Sequence, residues 1–287
     1  MINKIYAITK NIWLFFLDLI FPIECLGCGR EGEWLCDKCY KEIKLKPKQY
    51  CLHCKKENDL GNFCAPPARL NARPTKSFGR DVSRSGGCKI IYDLDGVWIA
   101  AFYDEVLISQ AIKSLKYHFI SGLARELSKL LITCLDKILE QGRILRLGLT
   151  DGVDWRIFKR TKNLPLAILN FSDNLIIPVP LSKKRWRWRG FNQAELLAKE
   201  VAGEYGLAID KSNLIRIKHK KPQAKLNEIH RLENIKGCFS WQGENLNKKN
   251  IILVDDVVTT GATLNECAKI LKANGAGEVW GLVVAKG

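Results

Sequence analysis

Two carboxylates at the end of an apolar run, followed by a turn rich in Thr and Gly, make Ile251 to Thr263 (IILVDDVVTTGAT) the most chemically suggestive stretch of this chain. The four aliphatic residues predict a buried central strand, with Asp255 and Asp256 at its carboxyl end. Val257 and Val258 lead on to Thr259, Thr260, Gly261, Ala262 and Thr263, a turn entering a helix whose first N–H groups and partial positive charge suit a phosphate. The threonine hydroxyls add donors, and Gly261 lets a ligand come close to the backbone. Asp255 and Asp256 can accept from the two hydroxyls of a ribose or hold Mg2+ through water. Acceptors beside phosphate donors suit a sugar carrying a 5′-phosphate. A plain capping turn is the alternative, but two adjacent charges directly after four buried aliphatics are a costly way to build one.

A second constellation lies near the N-terminus. Seven of the eleven cysteines fall between Cys25 and Cys64, six of them in C-x-x-C pairs. Cys25, Cys28, Cys36 and Cys39 offer four thiolates from two knuckles, which suits a tetrahedral structural Zn2+ in a reducing compartment better than a disulfide framework. Cys134, Cys238 and Cys267 sit in apolar periodic segments and read as core residues.

The third constellation is basic. Residues 175–250 hold 16 Lys and Arg against 7 Asp and Glu, so +9 of the chain's net +16 collects just ahead of the inferred anion site. In Lys183, Lys184, Arg185, Trp186, Arg187, Trp188 and Arg189, strand-like alternation would put Arg185, Arg187 and Arg189 on one side and the two Trp on the other. Three readings stand: arginines that grip pyrophosphate, a stacking platform beside a cationic track for single-stranded DNA, or a solvated basic face with Trp packed inward.

The elements that would position these groups follow from periodicity. Leu123, Leu127, Leu130, Leu131, Cys134, Leu135 and Ile138 predict a buried-face helix ending at Gly142. LIIPVP reads as a buried strand, followed by a basic loop and a helix with Ala194, Leu197, Ala198 and Val201 on one face. Short strands are expected near Leu214–Ile217 and Cys238–Trp241. After IILVDD comes a helix carrying Leu264, Cys267, Ala268 and Leu271, stopped by Asn274-Gly275. VWGLVVA is a closing strand. Strands in continuous apolar runs alternating with helices predict an α/β fold with a parallel sheet covered on both faces.

The Ile251–Thr263 pattern resembles the signature by which type I phosphoribosyltransferases bind phosphoribosyl pyrophosphate (PRPP). With Pro178-Val179-Pro180-Leu181, Arg189-Gly190-Phe191-Asn192-Gln193 and the spaced set Gln223, Arg231, Asn234, the chain is similar to the ComF family of competence-associated, phosphoribosyltransferase-like proteins. The resemblance covers most of residues 24–67 and 98–287. It implies a zinc-ribbon module over 24–67, a phosphoribosyltransferase-like domain over 98–287, and between them an insertion over 68–97, preceded by an N-terminal helix over 1–23. It also implies that Leu181–Gly190 is a pyrophosphate loop and that residues from about 218 to 235 form a flexible catalytic loop. Asp255, Asp256 and Arg189 are then the expected catalytic residues, with charge stabilisation and Mg2+ carrying the chemistry and no nucleophile required. Thr259 and Thr260 stand where some relatives in the wider superfamily carry an acid that serves as general base. Cys51, Cys54 and Cys64 resemble the second ribbon of the family's double zinc ribbon. The expected fourth ligand position carries Pro67, leaving Cys88 or His53 to complete the site, or the ribbon decayed. Lys116 and Tyr117 in SLKYH resemble the family's hood segment, with His118 assigned to solvated surface.

Composition limits the remaining classes. A chain of 287 residues that is 47% hydrophobic and 26% charged is neither disordered, collagen-like nor mainly membrane-embedded. The N-terminal apolar run Trp13–Leu17 is closed by Asp18, too short to span a bilayer and a poor signal peptide, so a cytoplasmic protein is expected, with contact at the inner membrane face as the other use of that segment. The functional expectation is a PRPP-binding protein with a zinc-ribbon head acting in DNA uptake or handling, with a DNA-uptake helicase or membrane machinery as partner. A transferase of nucleotide biosynthesis or salvage and a non-catalytic single-stranded DNA adaptor are the alternatives.

Overall fold

Unbroken apolar runs, too short for long helices and rich in β-branched residues, build the centre of this protein, seen here as a computed structural model describing residues 23–46, 48–52, 57–58, 92–147, 174–218 and 234–287. Five of them form a sheet in which every pairing is parallel. They are β3 (Gly96–Phe102), β4 (Asn174–Pro178), β5 (Ala208–Ile209), β8 (Asn250–Val258) and β9 (Val279–Lys286), in the spatial order β3-β9-β8-β4-β5. Two antiparallel ribbons flank it: β1 (Gln49–Tyr50) with β2 (Glu57–Asn58), and β6 (Leu214–Arg216) with β7 (Phe239–Trp241).

Helices cover both faces, as a parallel sheet requires. On one face lie α2 (Val106–Tyr117), α3 (Leu123–Leu147) and α5 (Gln193–Tyr205), which bury Ile108, Leu127, Leu131, Leu197 and Val201 with Ile252 and the stacked Trp98–Trp280 pair. Each such aliphatic side chain contributes about 1.5–3 kcal/mol relative to exposure. On the other face α6 (Ala262–Ala273) and the β6–β7 ribbon bury Leu264, Cys267, Leu271 and Phe239 against Val97, Ile251 and Leu253. The short helices α1 (Asp37–Glu42) and α4 (Lys183–Arg189) complete the described elements.

The α/β architecture is the one expected, and α6 ends as anticipated, with Gly275 in the left-handed region just beyond Asn274. Four local expectations are corrected. KKRWRWR is the helix α4 rather than an alternating strand or open loop. Ser182 caps its start by accepting from the Arg185 N–H at 3.4 Å, and Gly190 closes it at φ 81°. Helix α3 passes through Gly142 and ends at Leu147. The strand carrying Asp255 and Asp256 continues past them to Val258. Finally, the ordered fold begins ahead of residue 98. β3 starts at Gly96, and the backbone N–H groups of Asp93 and Leu94 are already held by the Asn265 side chain at 2.7 and 3.2 Å.

The sheet order places a crevice. After β4 the chain crosses through α5 to β5 on one side, whereas after β8 it crosses through α6 to β9 on the other. The carboxyl ends of β4 and β8 therefore flank the point where the winding reverses, the place where open sheets of this kind receive ligands.

Candidate functional site

The groups at that crevice come from four segments. From β8, consecutive residues alternate across the sheet. Asp256 projects toward α2, where Lys116 Nζ lies 2.9 Å from its Oδ1, and Asp255 turns to the opposite face, within electrostatic reach of Arg216 on β6. Asp256 is 4% exposed, and its Oδ2 has no hydrogen-bond partner. Burial and the neighbouring Asp256 charge push the Asp255 carboxyl up to about 7, against the pull of Lys116 and Arg216. An added cation beside either carboxylate would favour its ionised form.

From the end of α4 comes Arg189, 6% exposed. Its Nη1 donates to Gln193 Oε1, its Nε is buried without a partner, and its guanidinium stands 5.8 Å from the Tyr117 ring centroid and 6.0 Å from that of Trp188. Burial lowers its pKa and the Asp256 charge opposes that shift. The surrounding residues explain why RGFNQ is spelled that way. Gly190 supplies the left-handed turn, Asn192 caps α5 and donates to the Val179 carbonyl at 3.1 Å, and Gln193 orients the guanidinium. Asp256 Oδ2 on β8 and Arg189 Nε at the end of α4 are thus two buried polar atoms without a hydrogen-bond partner.

The turn Thr259–Gly261 follows. Gly261 adopts φ 78° as the residue before α6, and the Thr260 hydroxyl accepts from the Ala262 N–H at 3.4 Å. Two contacts brace this turn from outside: Tyr92 donates to the Thr260 carbonyl at 3.2 Å, and a Cβ on Gly261 would meet Leu52 Cδ1 at 2.7 Å. Close approach at Gly261 is therefore used by Leu52, a residue of the cysteine-rich segment. Thr259 is exposed and Thr260 and Thr263 are half-buried.

The fourth segment was not legible as a site. Arg216, over the Phe239 ring at 5.3 Å, and Lys218 join Ser182, Lys183, Lys184 and Gln242 around an open cleft of about 590 Å³. Burial lowers the Arg216 pKa, and the nearby Arg185 adds to that shift. Arg185 and Arg189 share a helical face, one turn apart, while Trp186 and Trp188 are 54% and 55% exposed and project to different sides. The inward-packed arrangement of the two Trp is thereby corrected. Lys116 was foreseen only through the hood resemblance, and a single Lys at a helix end gives no pattern of its own. Phe119 follows at φ 59°, a left-handed conformation that costs a bulky residue about 1–3 kcal/mol. Of the loop set, Asn234 is described, its carbonyl accepting from Cys238 Sγ at 3.7 Å. Gln223 and Arg231 lie outside the described residues.

In the cysteine-rich segment, the Sγ atoms of Cys25, Cys28, Cys36 and Cys39 all lie within 4.8 Å of one another, compatible with the ~3.8 Å separation that tetrahedral Zn–S bonds of about 2.3 Å would set. Burial opposes ionisation of Cys25, yet the backbone N–H groups of Cys36, Cys28 and Gly27 bring it down to about 6. Burial and the three neighbouring sulfurs push Cys39 up to about 12. Four thiolates cannot coexist there without a cation, and the cluster fits a zinc ribbon. Of the second set, Cys51 is buried, while Cys54 and Cys64 lie outside the described residues, as do Cys88 and His53. Among the described residues, no helix is long and apolar enough to cross a membrane.

Comparison with known proteins gives consistent relatives. The chain is 31% identical over 278 residues to competence protein F of Haemophilus influenzae, covering 92% of this chain and 98% of that protein. It is 37% identical over 125 residues to the DNA utilization protein YhgH of Salmonella typhi, covering 42% of this chain and 52% of that protein. It is 39% identical over 105 residues to competence protein ComFC of Bacillus subtilis, covering 35% of this chain and 39% of that protein. No protein-family model matches the chain.

Proposed function

The chain belongs to the ComF family of competence proteins, and from that premise we propose that it binds Mg2+·PRPP in the crevice between β4 and β8 and acts in the uptake or handling of DNA. The observation that supports the reading is a pair of buried polar atoms without a hydrogen-bond partner, Asp256 Oδ2 on β8 and Arg189 Nε at the end of α4, beside the winding reversal between β4 and β8. A sugar hydroxyl donates to the one, and an anionic oxygen accepts from the other. The α6 N-terminus and the threonine hydroxyls take the 5′-phosphate, and Arg189 with the Arg185 face takes the pyrophosphate. Asp255, whose carboxyl is raised to about 7 without ligand, is driven to the ionised form when a divalent cation arrives.

The relatives' names, competence and DNA utilization, support the DNA role. We assign the basic cleft lined by Lys183, Lys184, Arg216 and Lys218 to the backbone of single-stranded DNA beside the sugar site. The Cys25–Cys39 cluster holds a structural zinc. A cytoplasmic setting, with uptake machinery at the inner membrane face as partner, accords with this assignment.

The test is a calorimetric titration with PRPP in the presence and absence of Mg2+. The double substitution Asp255→Asn with Asp256→Asn is expected to abolish Mg2+-dependent binding while zinc content stays constant. Retained affinity in that variant would overturn the site assignment.

A further inference from the structure

Beside the Asp256–Lys116–Arg189 group stands an aromatic cluster that neither the sugar nor the phosphates would use. Tyr117 ends α2, Phe119 lies in the turn into α3, and Trp188 belongs to α4. The Trp188 ring is 6.0 Å from Tyr117 at a 52° tilt and 5.2 Å from Phe119 nearly edge-on, at 70°. All three rings remain open to solvent, with Tyr117, Phe119 and Trp188 exposed by 54%, 41% and 55%. The same cluster includes a cation, since the Arg189 guanidinium faces both Tyr117 and Trp188.

Phe119 decides that this is more than incidental surface. The chain reverses after α2 with the Ile120 N–H donating to the Ser114 carbonyl at 3.3 Å, and the residue left at φ 59° would ordinarily be Gly or Asn. Here a large apolar ring occupies that strained position and is presented outward against Trp188. Backbone strain kept at an exposed aromatic residue next to buried, unpartnered polar groups is a mark of a ligand site. The two tryptophans of α4 do not make one continuous platform, because residues two apart point about 200° apart around a helix. The stacking surface is therefore local, a corner of three partly exposed rings.

We propose that Tyr117, Phe119 and Trp188 receive a single nucleobase, with Arg189 completing the wall by cation–π contact. That this base occupies the acceptor side of a phosphoribosyl site rests on the function proposed above; the wall itself does not. The shared chemistry is a flat heteroaromatic ring, and it has two sources, a free base or one base of a single strand.

The full-length, zinc-loaded chain is titrated with adenine, with an octamer of deoxyadenosine and with an abasic octamer of the same length. The deoxyadenosine octamer is expected to bind more tightly than the abasic one, and Trp188→Ala to weaken it by roughly tenfold. Trp188→Phe, which keeps a stacking ring, should recover most of the loss, and the abasic octamer should respond little to either change. Adenine binding weakened by the same substitution identifies a free base as the source, whereas a response confined to the octamer identifies the strand. Equal affinity for the two octamers, or equal loss of both in Trp188→Ala, would overturn the proposal. PRPP titrated separately keeps the two ideas apart: a chain that discriminates the octamers but ignores Mg2+·PRPP would refute the sugar site and leave the base wall standing.

Discussion

Lysines show how far a residue's role depends on what folds around it. Lys116 and Lys46 are alike in the sequence and have opposite fates. Lys116 finds Asp256 at 2.9 Å. Lys46, 6% exposed, has its ammonium 2.9 Å above the Tyr50 ring centroid, with no hydrogen-bond partner on Nζ. Burial, and then the charge of Lys286, lower the Lys46 pKa to about 8. Its ordinary value is about 10.4. Between those values the folded state holds fewer protons than the unfolded one, so stability rises as pH climbs through that window, and the charge penalty is fully present below it. Lys46→Met is therefore expected to be more resistant to urea than the unsubstituted protein at pH 7, with the gap closing toward pH 10. An equal gap at both values would show that the ammonium is not the cause. Neither lysine was legible as a buried group, because burial of a charge is decided by partners distant in sequence. Asp255, Asp256 and Arg189 could be singled out as candidates because their neighbours in sequence, four aliphatics or a Gly-Phe-Asn-Gln run, already constrain them.

Among elements, those with a strong period were readable and those with mixed signals were not. The faces of α5 and α6 follow from Ala194, Leu197, Ala198 and Val201, and from Leu264, Cys267, Ala268 and Leu271, all of them buried. In α4 the Arg and Trp alternate, which imitates a strand, and the decisive signals are the Ser182 cap and Gly190 at its two ends. The seven-residue run of β3 lacks alternation because both of its faces are covered. That strand lies at the sheet edge, and the cysteine-rich segment covers it. Lys46 N–H donates to the Ala100 carbonyl at 2.8 Å, and the Gln49 side-chain amide pairs with both backbone groups of Ile99, at 2.8 and 3.1 Å. The knuckle is tight as well, since a Cβ on Gly27 would come within 2.7 Å of Cys39 Sγ. With so little apolar area of its own, this segment is expected to depend on a bound metal, since metal binding in small zinc modules supplies about 10–16 kcal/mol. Removing zinc with a chelator is expected to lower the melting temperature and, by uncovering β3, to promote aggregation. Cys36→Ser should reproduce both effects with loss of zinc from the protein. Unchanged melting after complete chelation would contradict a structural role for the Cys25–Cys39 cluster.

For the whole molecule, three features meet near one crevice: the reversal of winding between β4 and β8, the described basic residues Lys183, Lys184, Arg189 and Arg216, and the buried Asp256, whose Oδ2 has no hydrogen-bond partner. The parallel sheet and the four-cysteine cluster were expected from pattern alone. The contact of the cysteine-rich segment with the Thr259–Gly261 turn was not, because it runs through Leu52 against Gly261, residues far apart in the chain, while Tyr92, just ahead of β3, adds a hydrogen bond to the Thr260 carbonyl. The Thr259–Gly261 turn is thus braced by Leu52 and Tyr92, and under the function proposed above such bracing lowers the ordering cost of binding. Hydrogen exchange of the zinc-loaded protein with and without Mg2+·PRPP tests this most directly. The expected result is slowed exchange concentrated in the turn and first helical turn from Thr259 to Asn265, and in the segment from Val179 to Gly190. PRPP binding that leaves both segments unprotected and slows exchange elsewhere would contradict the account.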